Sequence, residues 1–169
     1  MAKSFKIVPI ILVAVLVVGP ITSSLASELH FNLGVEISGH VIPYLGVSLK
    51  QNTSEIGANL GVALPHDLID FNTSDIGYES TVYYRYAFVA TNFYPRLQFK
   101  SLYVPSGDPG ERYLLLTGVG LQYLNSVNGT RFGGGLELNV GLPVSALDRL
   151  SGPIPYLSLE SSYQFSFDE

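Results

Sequence analysis

Apolar and polar residues alternate along nearly the whole chain beyond residue 26, with a period of two and no sustained helical period. Successive side chains of a strand point to opposite faces, so this pattern predicts β-strands. Leu29, Phe31, Leu33, Val35 and Ile37 share one face of the first segment; His30, Asn32, Gly34, Glu36 and Ser38 share the other. Seven more segments read the same way, over 41–49, 56–64, 78–88, 93–103, 113–123, 132–142 and 155–167. Turn-like stretches separate them: Ser38-Gly39-His40, 51–54, 65–77, 90–92, 104–112, 125–130 and 143–153, with Asn128-Gly129 and Gly107-Asp108-Pro109-Gly110 the strongest turn pairs. Pro43, Pro95 and Pro155 fall near predicted strand ends, where a missing ladder donor is tolerated. The expectation is an all-β fold, eight antiparallel strands in up-and-down order, closed into a barrel.

The 26 residues before the alternation have a different layout. Lys3 and Lys6 precede an apolar run over 7–18, then Gly19-Pro20, then Ser24-Leu25-Ala26. This is the arrangement of a secretory signal peptide cleaved after Ala26, and the apolar run is short of the roughly 20 residues of a membrane-spanning helix. The organisation expected is a leader over 1–26 and one barrel domain over 27–169.

Alternation does not say which face points outward. A soluble barrel is apolar inside; a membrane barrel is apolar outside and polar inside. None of the apolar-face positions is charged, and Glu36, Glu79, Arg85, Arg96, Lys100, Arg131, Glu137 and Glu160 all fall on the opposite face. That face is otherwise rich in Gly, Ser and Asn, which suits a crowded interior better than a solubilising exterior. Leu116 is assigned to it by alternation, and Leu97 to the apolar face. Aromatics on the apolar face come in pairs ten residues apart: Tyr78 and Phe88, Phe93 and Tyr103, Tyr113 and Tyr123. Ten residues at about 3.3 Å each, tilted roughly 40°, climb about 25 Å, the height of an outer-membrane apolar band. The pairs therefore predict two interfacial girdles, broken by Tyr84 and Phe99 in mid-strand.

On these features the chain resembles the small eight-stranded bacterial outer-membrane barrels, over nearly all of 27–169. The last strand strengthens the likeness, alternating through Tyr163, Phe165 and Phe167, although Asp168-Glu169 follow the final aromatic. The resemblance implies that this strand is read by the outer-membrane barrel-assembly machinery. It also implies lipid around the barrel and both termini in the periplasm. The connections at 51–54, 90–92 and 125–130 would then be periplasmic. Those around Gly39 and at 65–77, 104–112 and 143–153 would be external, where any surface partner would bind.

Composition narrows the chemistry. The 169 residues carry a formal charge of −5 and no Cys. That argues against a nucleic-acid partner and excludes disulfides, thiol nucleophiles and Cys-based metal sites. A lipid hydrolase would need a histidine beside a serine and a carboxylate. His30 is assigned to the lumen, His40 to the first outer turn and His66-Asp67 to an outer loop, with no His-x-Ser arrangement. Asp67, Asp70, Asp75, Asp108 and Glu111 read as solvated loop acids, Gly133-Gly134-Gly135 as strand glycine without the Lys of a phosphate loop. Asn52, Asn72 and Asn128 begin glycosylation sequons. No catalytic residue, cofactor or metal is expected.

One constellation remains. Strands four and five carry Arg85, Arg96 and Lys100, and in an eight-stranded barrel they lie opposite strands eight and one; Glu137, Glu160 and Glu36 sit on strands seven, eight and one. The expectation is an ion-paired, plugged lumen in a non-enzymatic structural or surface-interaction protein. The alternatives are a soluble exported barrel holding a small apolar ligand and a lipid-modifying membrane enzyme.

Overall fold

The computed structural model describes residues 28–65, 75–88, 91–105, 113–128, 130–143 and 154–166. The leader over 1–26 and its cleavage point lie outside them, as do Phe167, His66 and most of the long connections. The strands are β1 (Glu28–Ile37), β2 (Val41–Gln51), β3 (Ser54–Ala63), β4 (Gly77–Tyr86), β5 (Phe93–Tyr103), β6 (Tyr113–Val127), β7 (Thr130–Pro143) and β8 (Ile154–Ser166). Each pairs antiparallel with the next, and β8 pairs with β1, so the sheet closes on itself and leaves no edge.

Several boundaries differ from those the alternation suggested. β6 and β7 run on to a Val127↔Thr130 pair, so the connection expected over 125–130 shrinks to the two residues between them. β2 and β3 run on to Gln51↔Ser54, leaving Asn52-Thr53 as the turn. Asn52 and Asn128 both have positive φ, 53° and 50°. Tight hairpin turns demand that conformation and Asn tolerates it, because its short side chain hydrogen-bonds locally. In the other direction, β4 stops at Tyr86 and the connection to β5 spans 87–92. Phe88 therefore lies beyond the strand it was expected to bound.

The prolines sit where a ladder is already interrupted. Pro43 pairs with Val35 on one side. On the other, the β2–β3 ladder stops at Tyr44↔Gly61 and resumes only as the isolated bridge Val41↔Leu64. Pro95 lies one residue past the last β4–β5 pair, Arg85↔Arg96. Pro155 lies beyond the last β1–β8 pair, Ile37↔Leu159. A residue without an N–H fits these places because on one side no partner strand calls for the donor.

The barrel is inverted relative to a soluble one. Phe99, Leu157 and Leu45 point outward and are 65%, 63% and 62% exposed, while Glu137 points inward at 0%. Leu97, Leu121, Leu136, Leu138 and Leu159 share the exterior, and Arg85, Arg96, Lys100, Glu36 and Glu160 are all buried. Such an exterior is far larger than the few hundred Å² of apolar patch that a monomer in water exposes.

Candidate functional site in the barrel lumen

The lumen is built by inward positions of all eight strands, and two of its adjacent cross-strand charge pairs are of like sign. Arg85 and Arg96 are direct cross-strand partners on β4 and β5. Glu36 and Glu160 are direct partners on β1 and β8. Like charges directly opposite are destabilising on a sheet, so each wall needs the other.

Arg96 Nη1 reaches Glu160 Oε2 at 2.5 Å and Glu137 Oε1 at 3.1 Å. Lys100 Nζ reaches Glu137 Oε2 at 2.9 Å and pairs closely with Glu36. These contacts bring β5 against β1, β7 and β8 through the middle of the barrel. Arg85 behaves differently. Its anionic partner is Glu55 on the neighbouring β3, at 2.5 Å, and what it meets from the opposite side is amide oxygen: Gln164 at 2.7 Å and Gln122 at 2.9 Å. The reading that paired all three bases with the β7, β8 and β1 acids is corrected here for Arg85. Glu55 falls between the turn at 51–54 and the segment begun at Ile56; extending the alternation by one residue places it inward.

Amides and phenols complete the network. Gln98 Nε2 donates to Glu137 at 2.5 Å and to Asn139 at 2.7 Å. Gln122 Nε2 donates to Glu160 at 2.7 Å, and Tyr44 O–H donates to the same carboxylate. Gln164 Nε2 donates to Asn32, Ser48 and Glu55. Tyr83 lies between the two arginines, its ring centroid 4.1 Å from the Arg96 guanidinium and 5.6 Å from that of Arg85. It separates the like-charged pair and offers a π face to each. Gly57 makes room for it: a Cβ there would overlap the Tyr83 ring. Buried charges persist only when paired and hydrogen-bonded, and these amides supply further bonds, although Arg85 Nε and Arg96 Nε have no hydrogen-bond partner among the described residues. Sequence reasoning weighed only the charged members.

Toward the end of the barrel that carries the β2–β3 and β6–β7 turns, called the inner end, the network opens to solvent. Lys50 Nζ lies 2.8 Å from Glu28, His30 Nε2 lies 3.0 Å from the same oxygen, and Arg131 lies 3.5 Å from Glu55. His30 is thus part of an ionic rim, and His40 sits in the first turn. Glu79, near the outer end, accepts from Thr81 at 3.0 Å and has no ion pair among the described residues. A cavity of about 10 Å³ lies among Asn59, Tyr83, Arg85, Arg96 and Ser162. It holds one water at most, against the 300–1,000 Å³ of ordinary ligand pockets.

Outside, the aromatics collect in two rows. Tyr78, Tyr103 and Tyr113 are consecutive cross-strand partners on β4, β5 and β6 at the outer end, with the Tyr103 and Tyr113 rings 4.6 Å apart. At the inner end Phe93 pairs with Tyr123, rings 5.2 Å apart, and Phe88 packs edge-on against Tyr86. The inner row extends further than the ten-residue spacing revealed. Phe31 stacks on Phe165 at 5.7 Å, and Phe132 is the cross-strand partner of Tyr163. Tyr163 and Phe165 of the last strand thus belong to this row.

No family model matches the chain, and no curated protein matches its sequence. Two solved structures resemble it. Neisserial surface protein A aligns over 83% of this chain and 95% of its own, at 11% identity and a TM-score of 0.48. The N-terminal β-barrel domain of Pseudomonas aeruginosa OprF aligns over 84% of this chain and 100% of its own, at 11% identity and a TM-score of 0.53. Taken with the closed eight-strand topology and the inverted faces, the second likeness gives this chain the fold of a small eight-stranded outer-membrane β-barrel.

Proposed function

We propose that this chain is a non-enzymatic outer-membrane barrel whose lumen is plugged by its ion pairs, and that it serves as an anchor or surface structure instead of a general porin. The observation that carries the reading is the inversion of the barrel: an apolar exterior around an interior where Arg96, Lys100, Glu36, Glu137 and Glu160 hold one another across the bore. Lipid is the solvent that suits such an exterior, and closed barrels are the sheet structures that satisfy every backbone group within it. A soluble carrier of an apolar ligand would need a cavity, and it would not line that cavity with carboxylates and guanidinium groups.

In this reading the leader over 1–26 exports the chain and is removed after Ala26. The last strand, with Tyr163, Phe165 and Phe167, is presented to the barrel-assembly machinery. The connections at 65–77, 104–112 and 143–153 face outward and carry any partner site, while 51–54 and 125–130 face the periplasm.

Envelope fractionation tests the membrane assignment. The mature protein should need detergent for extraction and should change gel mobility on heating. Release into a periplasmic extract without detergent would overturn it. In planar bilayers the purified protein should show no large steady conductance, and finding one would overturn the plug. Because the chain has no Cys, single cysteines placed at 70, 108 or 148 can be labelled uniquely. Labelling that occurs only after the outer membrane is breached would reverse the orientation.

A further inference from the structure

The chemistry of the lumen changes abruptly at its outer end. Beyond Lys100, the inward residues Ile42, Ala63, Leu102, Val104, Leu114 and Leu116 are all buried and form one apolar cluster, with Tyr156 packed against it. They come from β2, β3, β5 and β6, Val104 directly follows β5, and Tyr156 comes from β8. The cluster therefore draws on strands all around the barrel and is not one greasy wall. Glycines open the space that it fills. A Cβ on Gly61 would stand 2.6 Å from Ile42 Cγ2, and one on Gly77 would stand 3.1 Å from the Ala63 Cβ. Its lower boundary is set by register: Leu116 is the cross-strand partner of Lys100, and Leu102 that of Glu79.

The two ends of the bore thus differ in kind. At the inner end the side chains of Glu28, Lys50 and Arg131 are 35%, 21% and 12% exposed. At the outer end Ile42 is 0% exposed and Leu114 and Leu116 are 4% and 5%. Aliphatic side chains in contact offer an ion no replacement for its hydration shell, and hydrophobic constrictions close pores by excluding water.

We propose that this apolar cluster is a second seal, in series with the ion-pair ladder, that closes the outer mouth of the barrel to water and ions. The proposal rests on the outer-membrane, plugged-lumen reading above and adds that removing the ion pairs alone does not open the barrel. Water reaches the ladder from the periplasmic side only.

Four forms compared in planar bilayers test the series arrangement: the unmodified protein, a ladder variant (Arg96→Ala with Glu137→Ala), a seal variant (Ile42→Ser with Leu116→Ser) and all four changes together. The first three should lack steady conductance, and the fourth should conduct at least about tenfold above them. A ladder variant that conducts as well as the fourfold one would overturn the second seal and leave the plugged-lumen reading standing. A seal variant that conducts by itself would show one seal in place of two and overturn the series arrangement. A fourfold variant that is folded by heat-dependent mobility yet closed would overturn it too. Steady conductance in the unmodified protein would sink both readings together.

A second measurement reads the seal without disturbing the ladder. Thr81, 2% exposed, is the cross-strand partner of Lys100 and so lies below the Glu79↔Leu102 level of the cluster. Thr81→Cys should resist a membrane-impermeant thiol reagent added outside intact cells, and should react once Ile42→Ser and Leu116→Ser are added. Reaction with the cluster intact would show that the mouth is open and overturn the proposal.

Discussion

Arg96→Met puts the cross-lumen pairing to its sharpest thermodynamic test. The substitution keeps a long apolar stem and removes the guanidinium. Glu137 would keep Lys100 at 2.9 Å, Gln98 at 2.5 Å and Ser158 at 3.0 Å. Among the described residues Glu160 would lose its one ion pair and keep the donors Tyr44 and Gln122. The loss therefore falls on Glu160, an uncompensated buried carboxylate, and breaking a buried pair from one side costs about 3–5 kcal/mol. Losing the guanidinium from the Tyr83 face adds about 1–2 kcal/mol. Glu160→Gln alone should cost less, about 1–3 kcal/mol, because Arg96 keeps Glu137 at 3.1 Å. In the double variant no orphaned charge remains, so its loss should fall short of the sum by about 2–3 kcal/mol, at the upper end of measured coupling energies. Urea titration in detergent micelles provides the measurement, with the folded fraction read from far-ultraviolet circular dichroism and unheated gel mobility, since the chain has no Trp. Losses that add to within about 0.5 kcal/mol would refute the pairing argument and show that solvent serves each charge separately.

Other substitutions probe other parts of the construction. Leu97→Lys places a charge at a lipid-facing position that is 50% exposed; it should cost about 2–4 kcal/mol and reduce the heat-shifted band of assembled protein. Leu116, which alternation assigns to the polar face, lies in the apolar cluster, so assembly should fall for Leu116→Lys as well. Gly57→Ala should destabilise by about 1–3 kcal/mol in the same urea titration, because the new methyl displaces Tyr83 and meets the Ser48 Cβ at 2.8 Å. Asn52→Ala at φ 53° should cost about 1 kcal/mol, while Asn52→Gly should be nearly neutral. Raising salt from about 0.1 to 1 M shortens the screening length from about 10 to 3 Å. It should erase the stability difference between Lys50→Met and the unmodified protein while leaving that of Arg96→Met almost intact, because the first pair is at the rim and the second is buried.

Much of the barrel could be read directly from residue order, and the reasons for success and failure are specific. Period-two alternation is a local property, so β1 to β8 and their faces emerged from it, and the absence of charge on one face told which way the barrel was turned. Strand ends were less legible. β6 and β7 ran past Tyr123 and Phe132 because Asn128-Gly129 can turn in two residues, and nothing in the flanking sequence says where pairing ceases. Phe88 was assigned to β4 by spacing alone, but that strand stops two residues earlier. The inner aromatic row was seen only in part, because Phe31, Phe132, Tyr163 and Phe165 join it through neighbouring strands and not through a spacing within one strand.

What the sequence by itself determined is the parity of each side chain: inward or outward, lipid or lumen. Parity follows from backbone geometry and needs no partner. What only the tertiary structure decided is height and neighbourhood within the lumen. Register and stagger bring residues far apart in sequence to one level, so Arg96 meets Glu160 64 positions away, while Arg85 turns to Glu55 on the adjacent strand. The same stagger gathers Ile42, Ala63, Leu102, Leu114 and Leu116 at one end of a bore that alternation describes only as the polar side. Each of these residues has the inward parity expected of it. Their assembly into a charged ladder below and an apolar closure above exists only once eight strands have closed into a ring.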